Sequence, residues 1–250
     1  MTGTEILLYG IVASTAAGLA TGVGALPALA VREVSRRVLN VMLGFAAGVM
    51  LAATSFSLII PAIEIGGVWI TVAGLAVGAL ALDIVDRTVP HFHTVKGREG
   101  PSSAMRKVWL FVLAITIHNF PEGLAVGVGF GGGDVAAGTA LAIGIGLQNM
   151  PEGLAVALPL LREGYSRWAA LGIALATGLV EPLGGLLGAG IVSVARPFLP
   201  FGLAFAAGAM LFVIADEIIP ETHSQGNERL ATFGLIVGFL VMMALDNLFG

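Results

Sequence analysis

Residues 117–126 read IHNFPEGLAV, and residues 147–156 read LQNMPEGLAV. The same motif thus occurs twice, each time near the middle of a long apolar segment. Polar groups at such a depth in a membrane are costly unless they face one another or bind something. In each copy the first polar residue precedes the glutamate by four positions, so both lie on one helix face about 6 Å apart along the axis. The proline between them cannot donate a backbone hydrogen bond and frees a carbonyl one turn back.

The two copies together offer a set of ligands for a cation. Two such helices facing each other would surround an ion with imidazole, amide, carboxylate and backbone oxygen groups. Because the two copies agree in spacing and depth, the sequence predicts a divalent-metal site inside the membrane. The candidate ligands are His118, Glu122, Gln148 and Glu152, with Asn119 and Asn149 beside them.

Asn119 and Asn149 indicate a second site next to the first. Each follows the first polar residue of its motif and therefore lies about 100° further around the helix. In that position they would serve an adjacent site, with Glu122 and Glu152 bridging the two. Asparagine also forms good hydrogen bonds between membrane helices, so a structural role is the alternative.

Two more residues are candidate ligands. Glu181, which precedes Pro182, adds a third carboxylate at similar depth, and these spans contain no cation to pair with it. Three carboxylates without Lys or Arg would repel one another and take up protons unless a metal neutralised them. Met50 is a possible soft ligand, although a methionine in a helix more often packs in the core.

Composition restricts the class of protein. The 250 residues are 57% hydrophobic and 11% charged, whereas a soluble domain carries about 25% charged residues. Without cysteine there are no disulfides, thiolate metal sites or cysteine nucleophiles. The formal net charge of −4 and the lack of a basic patch argue against a nucleic-acid partner.

Apolar segments of about 20 residues predict membrane-spanning helices. The sequence predicts an all-α polytopic membrane protein with eight of them, forming a single transmembrane domain over residues 1–250. The connections are short except for a loop at about 87–107. The predicted segments cover about 5–28, 39–61, 67–86, 108–130, 134–161, 168–194, 198–219 and 230–249.

Positive charge sets the predicted orientation in the cytoplasmic membrane. With the N-terminus outside, only Arg196 falls outside and the other Lys and Arg residues lie in inside loops, as the positive-inside rule favours. Both termini are therefore predicted to be extracytoplasmic, and the 87–107 loop cytoplasmic. The inside residues are Arg32, Arg36, Arg37, Arg87, Lys96, Arg98, Arg106, Lys107, Arg162, Arg167 and Arg229.

An internal repeat is also visible. Residues 45–51 read FAAGVML and residues 205–211 read FAAGAML. Because the second segment runs outward and the seventh inward, the repeat is predicted to be inverted, with segments 1–3 and 6–8 flanking segments 4 and 5. Such a 3+2+3 arrangement is typical of secondary transporters, and recurrence of glycine-rich helix contacts is the alternative. At the same offset, Gly74, Val77, Gly78 and Asp86 match Gly234, Val237, Gly238 and Asp246.

Two polar clusters lie toward the predicted cytoplasmic side. His91 and His93 form an H-x-H in the longest loop. Histidine and carboxylate suit zinc and similar ions, so both clusters are candidate stations on a release path. The alternative is a solvated loop and a capped helix end. The second cluster, at the end of the seventh segment, contains Asp216, Glu217, Glu221 and His223.

On these residues the chain resembles the bacterial members of the ZIP (Zrt/Irt-like) family of metal-ion transporters. The resemblance covers the whole chain and rests on the H-N-x-P-E-G of the fourth segment, its counterpart in the fifth and the glutamate of the sixth. It implies import of Zn²⁺, and also of Cd²⁺ and other divalent ions, through a midplane two-metal centre. It further implies a dimer, and an elevator-like movement of the predicted segments 1, 4, 5 and 6 against segments 2, 3, 7 and 8.

The resemblance also assigns residues to the two metals. It places His118, Gln148, Glu122 and Glu152 at the first, with Met50 nearby, and gives His91, His93 and Glu217 a part in exit. Many family members have His at the position of Gln148, and some bacterial members have Asp at that of Asn149. The second site would comprise Asn119, Asn149, Glu122, Glu152 and Glu181.

Other functions fit the sequence less well. An intramembrane metalloenzyme would use a metal-bound water, but H-E-x-x-H and a nucleophile elbow are both missing. A transporter of protons or an organic solute could use the same carboxylates without a divalent ion. No ATP-binding G-x-x-x-x-G-K-[ST] occurs, and the sequence indicates neither an organic cofactor nor an enzyme.

Overall fold

The computed structural model describes residues 1–31, 33–93, 97–100, 107–223 and 226–249. Apart from one small hairpin, these residues form helices, as predicted for an all-α polytopic membrane protein. The α-helices are α1 (Gly3–Ala25), α2 (Arg36–Ala52), α3 (Ile60–Thr88), α4 (Lys107–Gly129), α5 (Val135–Arg162), α6 (Arg167–Gly178), α7 (Glu181–Val194), α8 (Leu199–Val213), α9 (Ile219–His223) and α10 (Glu228–Phe249).

Among the described residues, 7 helical stretches are long and apolar enough to cross a membrane. One of them, Arg36–Thr88, has 53 residues and would be about 80 Å long if straight, more than twice the hydrocarbon thickness. It contains the predicted segments 39–61 and 67–86, and two helices meet within it at a kink at Gly67 (φ 78°, ψ 169°). Only glycine adopts this backbone conformation without strain. The kink favours two membrane-spanning segments within this stretch, which would give eight in all. The count of eight stays a prediction.

Two π-helical turns interrupt the helices that precede α3 and α9. They cover Ala53–Ile59, between α2 and α3, and Ile214–Ile218, between α8 and α9. Such turns occur often at functional sites because they rotate the following residues around the axis. Here they contain the polar residues Ser57 and Glu217, of which Glu217 is one of the predicted exit residues.

The sixth predicted segment, 168–194, is two helices rather than one. The backbone leaves the helical path between Gly178 and Glu181, and α7 starts at Glu181 with Pro182 in its first turn. Proline suits a first turn because the N–H groups there have no intrahelical acceptor. As a result, the carboxylate of Glu181 lies at a helix N-terminus, where the helix dipole favours a negative charge.

Glycines allow very close contact within two groups of helices. In the first group (α1, α4, α5, α6 and α7), a Cβ on Gly153 would overlap the carbonyl of Thr21, and one on Gly123 would overlap that of Glu181. In the second group (α2, α3, α8 and α10), Gly48 has the same relation to Leu235. These are backbone-to-backbone contacts of the kind that small residues permit in membranes.

Contacts between the two groups are of a different kind. Gly144 of α5 faces the side chains of Met242 and Val49, and Gly202 of α8 faces Val128. At these glycines, apolar side chains rather than backbone atoms separate the two groups. Backbone contacts at glycines therefore join the helices of the first group, and in the second group they join α2 to α10 and α3 to α8.

Several close contacts recur at matching positions of the predicted repeat. Gly48 approaches the carbonyl of Leu235, and Gly208 approaches that of Leu75. Likewise, Gly238 approaches the carbonyl of Phe45, and Gly78 that of Phe205. The glycines of the two matching stretches therefore serve equivalent helix contacts. The inverted repeat itself stays a prediction.

The longest predicted loop contains a two-stranded antiparallel hairpin, β1 (His91–His93) and β2 (Gly97–Glu99). The sequence predicted a loop at about 87–107 and gave no indication of strands within it. Residues 94–96 and 101–106 of this loop lie outside the described residues, so Lys96 and Arg106 do too. Arg32 also lies outside them.

Candidate metal centre

The polar residues of both motif copies are all buried in the centre of the protein. They come from α4 and α5, which cross next to α1 and α7 and bring both motifs to the same level as Glu181. The buried residues are His118, Asn119, Glu122, Gln148, Asn149, Glu152 and Glu181. The structure brings six of these residues within hydrogen-bond or electrostatic range of at least one other: His118, Glu122, Gln148, Asn149, Glu152 and Glu181.

Amide groups bind two of the three carboxylates. The Nε2 of Gln148 donates to Oε1 of Glu122 at 2.5 Å, which joins α5 to α4. The Nδ2 of Asn149 donates to Oε1 of Glu181 at 2.6 Å and to the backbone oxygen of Ala17 at 2.8 Å. Sequence analysis did not indicate the Ala17 carbonyl, because a backbone acceptor leaves no mark in the residue pattern.

Many polar atoms of this cluster have no hydrogen-bond partner among the described residues. They include one oxygen each of Glu122 and Glu181, both carboxylate oxygens of Glu152, and both amide atoms of Asn119. Buried polar atoms are nearly always paired, so such a concentration points to a missing ligand. The remaining atoms without a hydrogen-bond partner are the side-chain oxygens of Gln148 and Asn149 and the ring nitrogens of His118, of which Nδ1 lies near Glu217.

The carboxylates also lie close to one another. Glu122 is within electrostatic range of both Glu152 and Glu181, and no Lys or Arg is among the groups that act on it. A divalent cation would offset this repulsion directly. The donor set of carboxylate and amide oxygens with one imidazole suits zinc and similar ions.

His118 contacts a carboxylate from the other group of helices. Its Nδ1 lies 3.1 Å from Oε2 of Glu217, which belongs to the second π-helical turn. Glu217 was predicted to be an exit residue, and the structure places it beside the predicted first site. Glu217 lies within this π turn, where the spacing differs from that of an α-helix, so α-helical residue spacing alone did not indicate the contact.

A cavity of about 310 Å³ extends from this point toward one end of the protein. His118, Glu152 and Glu217 line its inner part, and the exposed Arg36 and Arg162 line its outer part. Most of its remaining walls are apolar. The cavity joins the buried cluster to the end of the helices that carries the predicted inside residues.

Met50 is fully buried in the main apolar core. This surrounding agrees with the packing role that the sequence analysis weighed against a ligand role. Its part in metal binding stays a prediction.

His91 takes part in a separate cluster near the hairpin. Its Nε2 lies 2.8 Å from Oδ1 of Asp86 and 3.6 Å from Oε2 of Glu99, and its Nδ1 contacts the carbonyl of Val89. Asp86, His91 and Glu99 could hold a metal ion. The side chain of His93 lies outside the described part of the structure.

Two other polar residues, His223 and Ser57, have partners of their own. The ring of His223 contacts Thr222, Thr232 and the carbonyl of Ile219, as expected for a residue that closes a helix end. Ser57 donates to Oδ1 of Asp246 in α10 at 2.5 Å. The sequence analysis noted Asp246 only as part of the repeat, because its partner is remote in the chain.

Metal binding should stabilise the protein if the unpaired atoms are ligands. We expect Zn²⁺ to raise the unfolding temperature of the purified protein, with a gain of about 2.7 kcal/mol when the free ion exceeds its dissociation constant a hundredfold. Differential scanning fluorimetry with and without Zn²⁺ measures this. The increase in unfolding temperature should be smaller in Glu152→Gln than in the wild type. It should equal that of the wild type in Glu163→Gln, a control at an exposed residue. An equal increase in both variants would place the bound ion elsewhere.

Comparison with known proteins gives a consistent result. The profile of the family described as ZIP Zinc transporter matches residues 93–246. The zinc transporter GufA of Myxococcus xanthus is 46% identical over 96% of this chain and 99% of its own length. The zinc transporter ZIPB of Bordetella bronchiseptica is 45% identical over 97% of this chain and 82% of its own. The zinc transporter ZupT of Corynebacterium glutamicum is 40% identical over 90% of this chain and 93% of its own.

Proposed function

Because the chain belongs to the ZIP family of zinc transporters, we propose that it imports divalent metal ions across the cytoplasmic membrane. The substrate is Zn²⁺, with Cd²⁺ and other first-row divalent ions as further candidates. The protein needs no organic cofactor and performs no chemical conversion of its substrate.

One observation supports this proposal most strongly: side-chain atoms without hydrogen-bond partners lie together in the buried cluster. The unpaired oxygens of Glu122, Glu152 and Glu181 come from three different helices that meet at one level. A dehydrating cation needs such a set, because each protein oxygen replaces one water of its shell. Two adjacent metals fit this cluster, with Glu122 and Glu152 between them.

Polar groups at both ends extend the path. The Ser57–Asp246 pair lies between α10 and the first π-helical turn, at the predicted outer end, and is our candidate for the first contact of the incoming ion. Glu64 also belongs to that end. At the inner end, His118 and Glu217 would pass the ion into the cavity, and His91 would act later on the way out. This direction follows the predicted orientation, with both termini extracytoplasmic.

The packing supports movement of one helix group against the other. Backbone contacts at glycines join the helices of the first group, and in the second they join α2 to α10 and α3 to α8. Side chains separate the two groups at Gly144 and Gly202. We propose an elevator-like shift in which α1 and α4–α7 carry the ion past α2, α3, α8 and α10. A homodimer would hold the second group fixed in the bilayer.

Alanine variants of Glu152 and Asn149 test whether Glu152 bridges the two metals. We expect Glu152→Ala to reduce zinc influx more than Asn149→Ala, by roughly tenfold, because it removes a charged ligand that serves both metals. Initial rates of ⁶⁵Zn²⁺ uptake by the two variants at matched protein content measure the difference. Equal rates would contradict the bridging role.

Uptake by the purified protein in sealed liposomes tests the function itself. We expect saturable Zn²⁺ influx without ATP, absent from protein-free liposomes. A solute or proton transporter would instead move its substrate with no divalent ion present. Metal binding without any flux would overturn the transporter proposal and favour an intramembrane metalloenzyme.

A further inference from the structure

The inner cavity is lined mainly by apolar side chains, although it leads away from a buried charged cluster. Leu39 and Leu43 of α2 contribute to its walls, as do Phe111 and Ile115 of α4 and Pro159 of α5. A hydrated cation gains nothing from such walls, because it exchanges its ligands only at polar groups. Ligand pockets, in contrast, are mostly apolar and carry a few polar groups that fix orientation. The walls therefore suit an organic molecule better than a metal ion.

Most of the charged groups around this cavity already have partners within the protein. Arg36, Glu217 and Glu221 each take part in an interaction. The carboxylate of Glu217 also contacts the ring of His118. Arg162 is exposed at the mouth, where water solvates its charge. None of these four charged residues calls for a ligand.

Glu152 differs from these residues. It lines the inner part of the cavity and is only 3% exposed, and neither of its carboxylate oxygens has a hydrogen-bond partner among the described residues. The charged groups that act on it are His118 and Glu217, with no Lys or Arg among them. A buried carboxylate without a partner is costly. The inner end of the cavity therefore favours a positively charged hydrogen-bond donor.

The volume and the walls define what kind of donor fits. About 310 Å³ is near the lower limit of ligand pockets, so the molecule must be small. A protonated amine offers three N–H donors to the two oxygens of Glu152. A short hydrocarbon body attached to it would remove apolar wall from water. A second charge would lie against apolar side chains, so a monoamine fits better than a polyamine.

We propose that the cavity binds a small organic monocation, whose ammonium group pairs with Glu152 and whose apolar body lies against Leu39 and Phe111. The effect on transport rests on the proposed function, because Glu152 is also a proposed metal ligand. The bound molecule competes with the metal ion for this carboxylate. Since the cavity walls come from both helix groups, it also holds α2 against α4 and α5 and blocks the proposed shift.

Calorimetric titration of the metal-free protein in nanodiscs tests binding, with 4-phenylbutylamine as the probe and empty nanodiscs as the reference. Two molecules with the same body, 4-phenylbutanol and 4-phenylbutyrate, carry a neutral or a negative group in place of the ammonium. We expect one amine to bind per chain, and the other two molecules to bind at least roughly tenfold more weakly, because only the amine forms a charge-assisted hydrogen bond with Glu152. Equal or tighter binding of 4-phenylbutyrate would assign the head group to the arginines and overturn the proposal. Equal binding of 4-phenylbutanol would overturn it too.

Two variants test the two ends of the bound molecule. Glu152→Gln should weaken binding of the amine by at least roughly tenfold, whereas Glu163→Gln, at an exposed residue, should bind it like the wild type. Leu39→Ala should weaken binding roughly fivefold, because the body loses apolar contact. Its control is Leu8→Ala, because Leu8 is exposed on α1 and is not among the described residues that line the cavity. If Glu152→Gln does not fold, wild-type affinity in Leu39→Ala is sufficient to overturn the proposal.

Uptake of ⁶⁵Zn²⁺ into liposomes separates this proposal from the proposed function. We expect 4-phenylbutylamine to slow uptake by the wild type, with half-inhibition near its dissociation constant, and 4-phenylbutanol to have no effect at the same concentration. If the wild type takes up no zinc even without the amine, the proposed function fails, and the titration still decides whether the amine site exists. If zinc is taken up but the amine does not bind, only the amine site fails. Binding of the amine without slower uptake would overturn its blocking role.

Discussion

Replacement of Glu122 by alanine is expected to abolish zinc influx. The side chain is fully buried, binds Gln148 through one oxygen and presents the other to the carboxylate cluster. Under the proposed function, its loss would remove a ligand shared by two metals, and it would leave the amide of Gln148 without its acceptor. Loss of a charged metal ligand should reduce the uptake rate by roughly a hundredfold or more, which corresponds to about 2.8 kcal/mol.

Uptake of ⁶⁵Zn²⁺ into liposomes at matched protein content measures this effect. Glu163→Ala is the control, because that carboxylate is exposed at the end of α5. It should transport like the wild type. Normal influx by Glu122→Ala would show that this carboxylate is not on the path.

The second large effect is expected from Gly123→Ala, which adds a single methyl group. The new Cβ would collide with the backbone of Glu181, which cannot move aside as a flexible side chain would. We expect α4 and α7 to separate, which would move Glu181 away from Glu122. Overpacking of this kind costs about 1–3 kcal/mol, so the unfolding temperature should fall by several degrees and uptake by at least roughly tenfold.

Gly172→Ala is the matched control. Gly172 also lies within a helix, α6, and a Cβ there meets nothing within 4 Å. Because alanine favours helix over glycine, this variant should be as stable as the wild type or slightly more stable. Thermal unfolding in detergent and uptake in liposomes compare the two. Similar behaviour of both variants would contradict the close contact between α4 and α7.

The sequence predicted the helices and the central cluster because both depend on local patterns. Apolar runs place each span within a few residues, and the duplicated motif brings its polar groups to one level on α4 and α5. Glu181 was found by its depth alone. These features follow from spacing along single helices, which is visible without a structure.

Contacts between distant helices could not be predicted in the same way. The approach of Glu217 to His118 depends on a π-helical turn, and the partner of Ser57 lies at the end of α10. The break before Glu181 had a local signal in Pro182, but an apolar run on both sides concealed it. Arg36 and Arg162 were recognised only as markers of orientation, because the cavity between them exists only after folding.

The amide hydrogen bonds on the carboxylates have a consequence for the reset of the transport cycle. A passive carrier must return without cargo, and uncompensated carboxylates are costly to move through a low-dielectric bilayer. Gln148 donates a hydrogen bond to one oxygen of Glu122, and Asn149 donates one to Glu181. The N-terminus of α7 adds partial positive charge beside Glu181. These neutral dipoles offset part of the negative charge after the ion has left. They would lower the barrier to the return step.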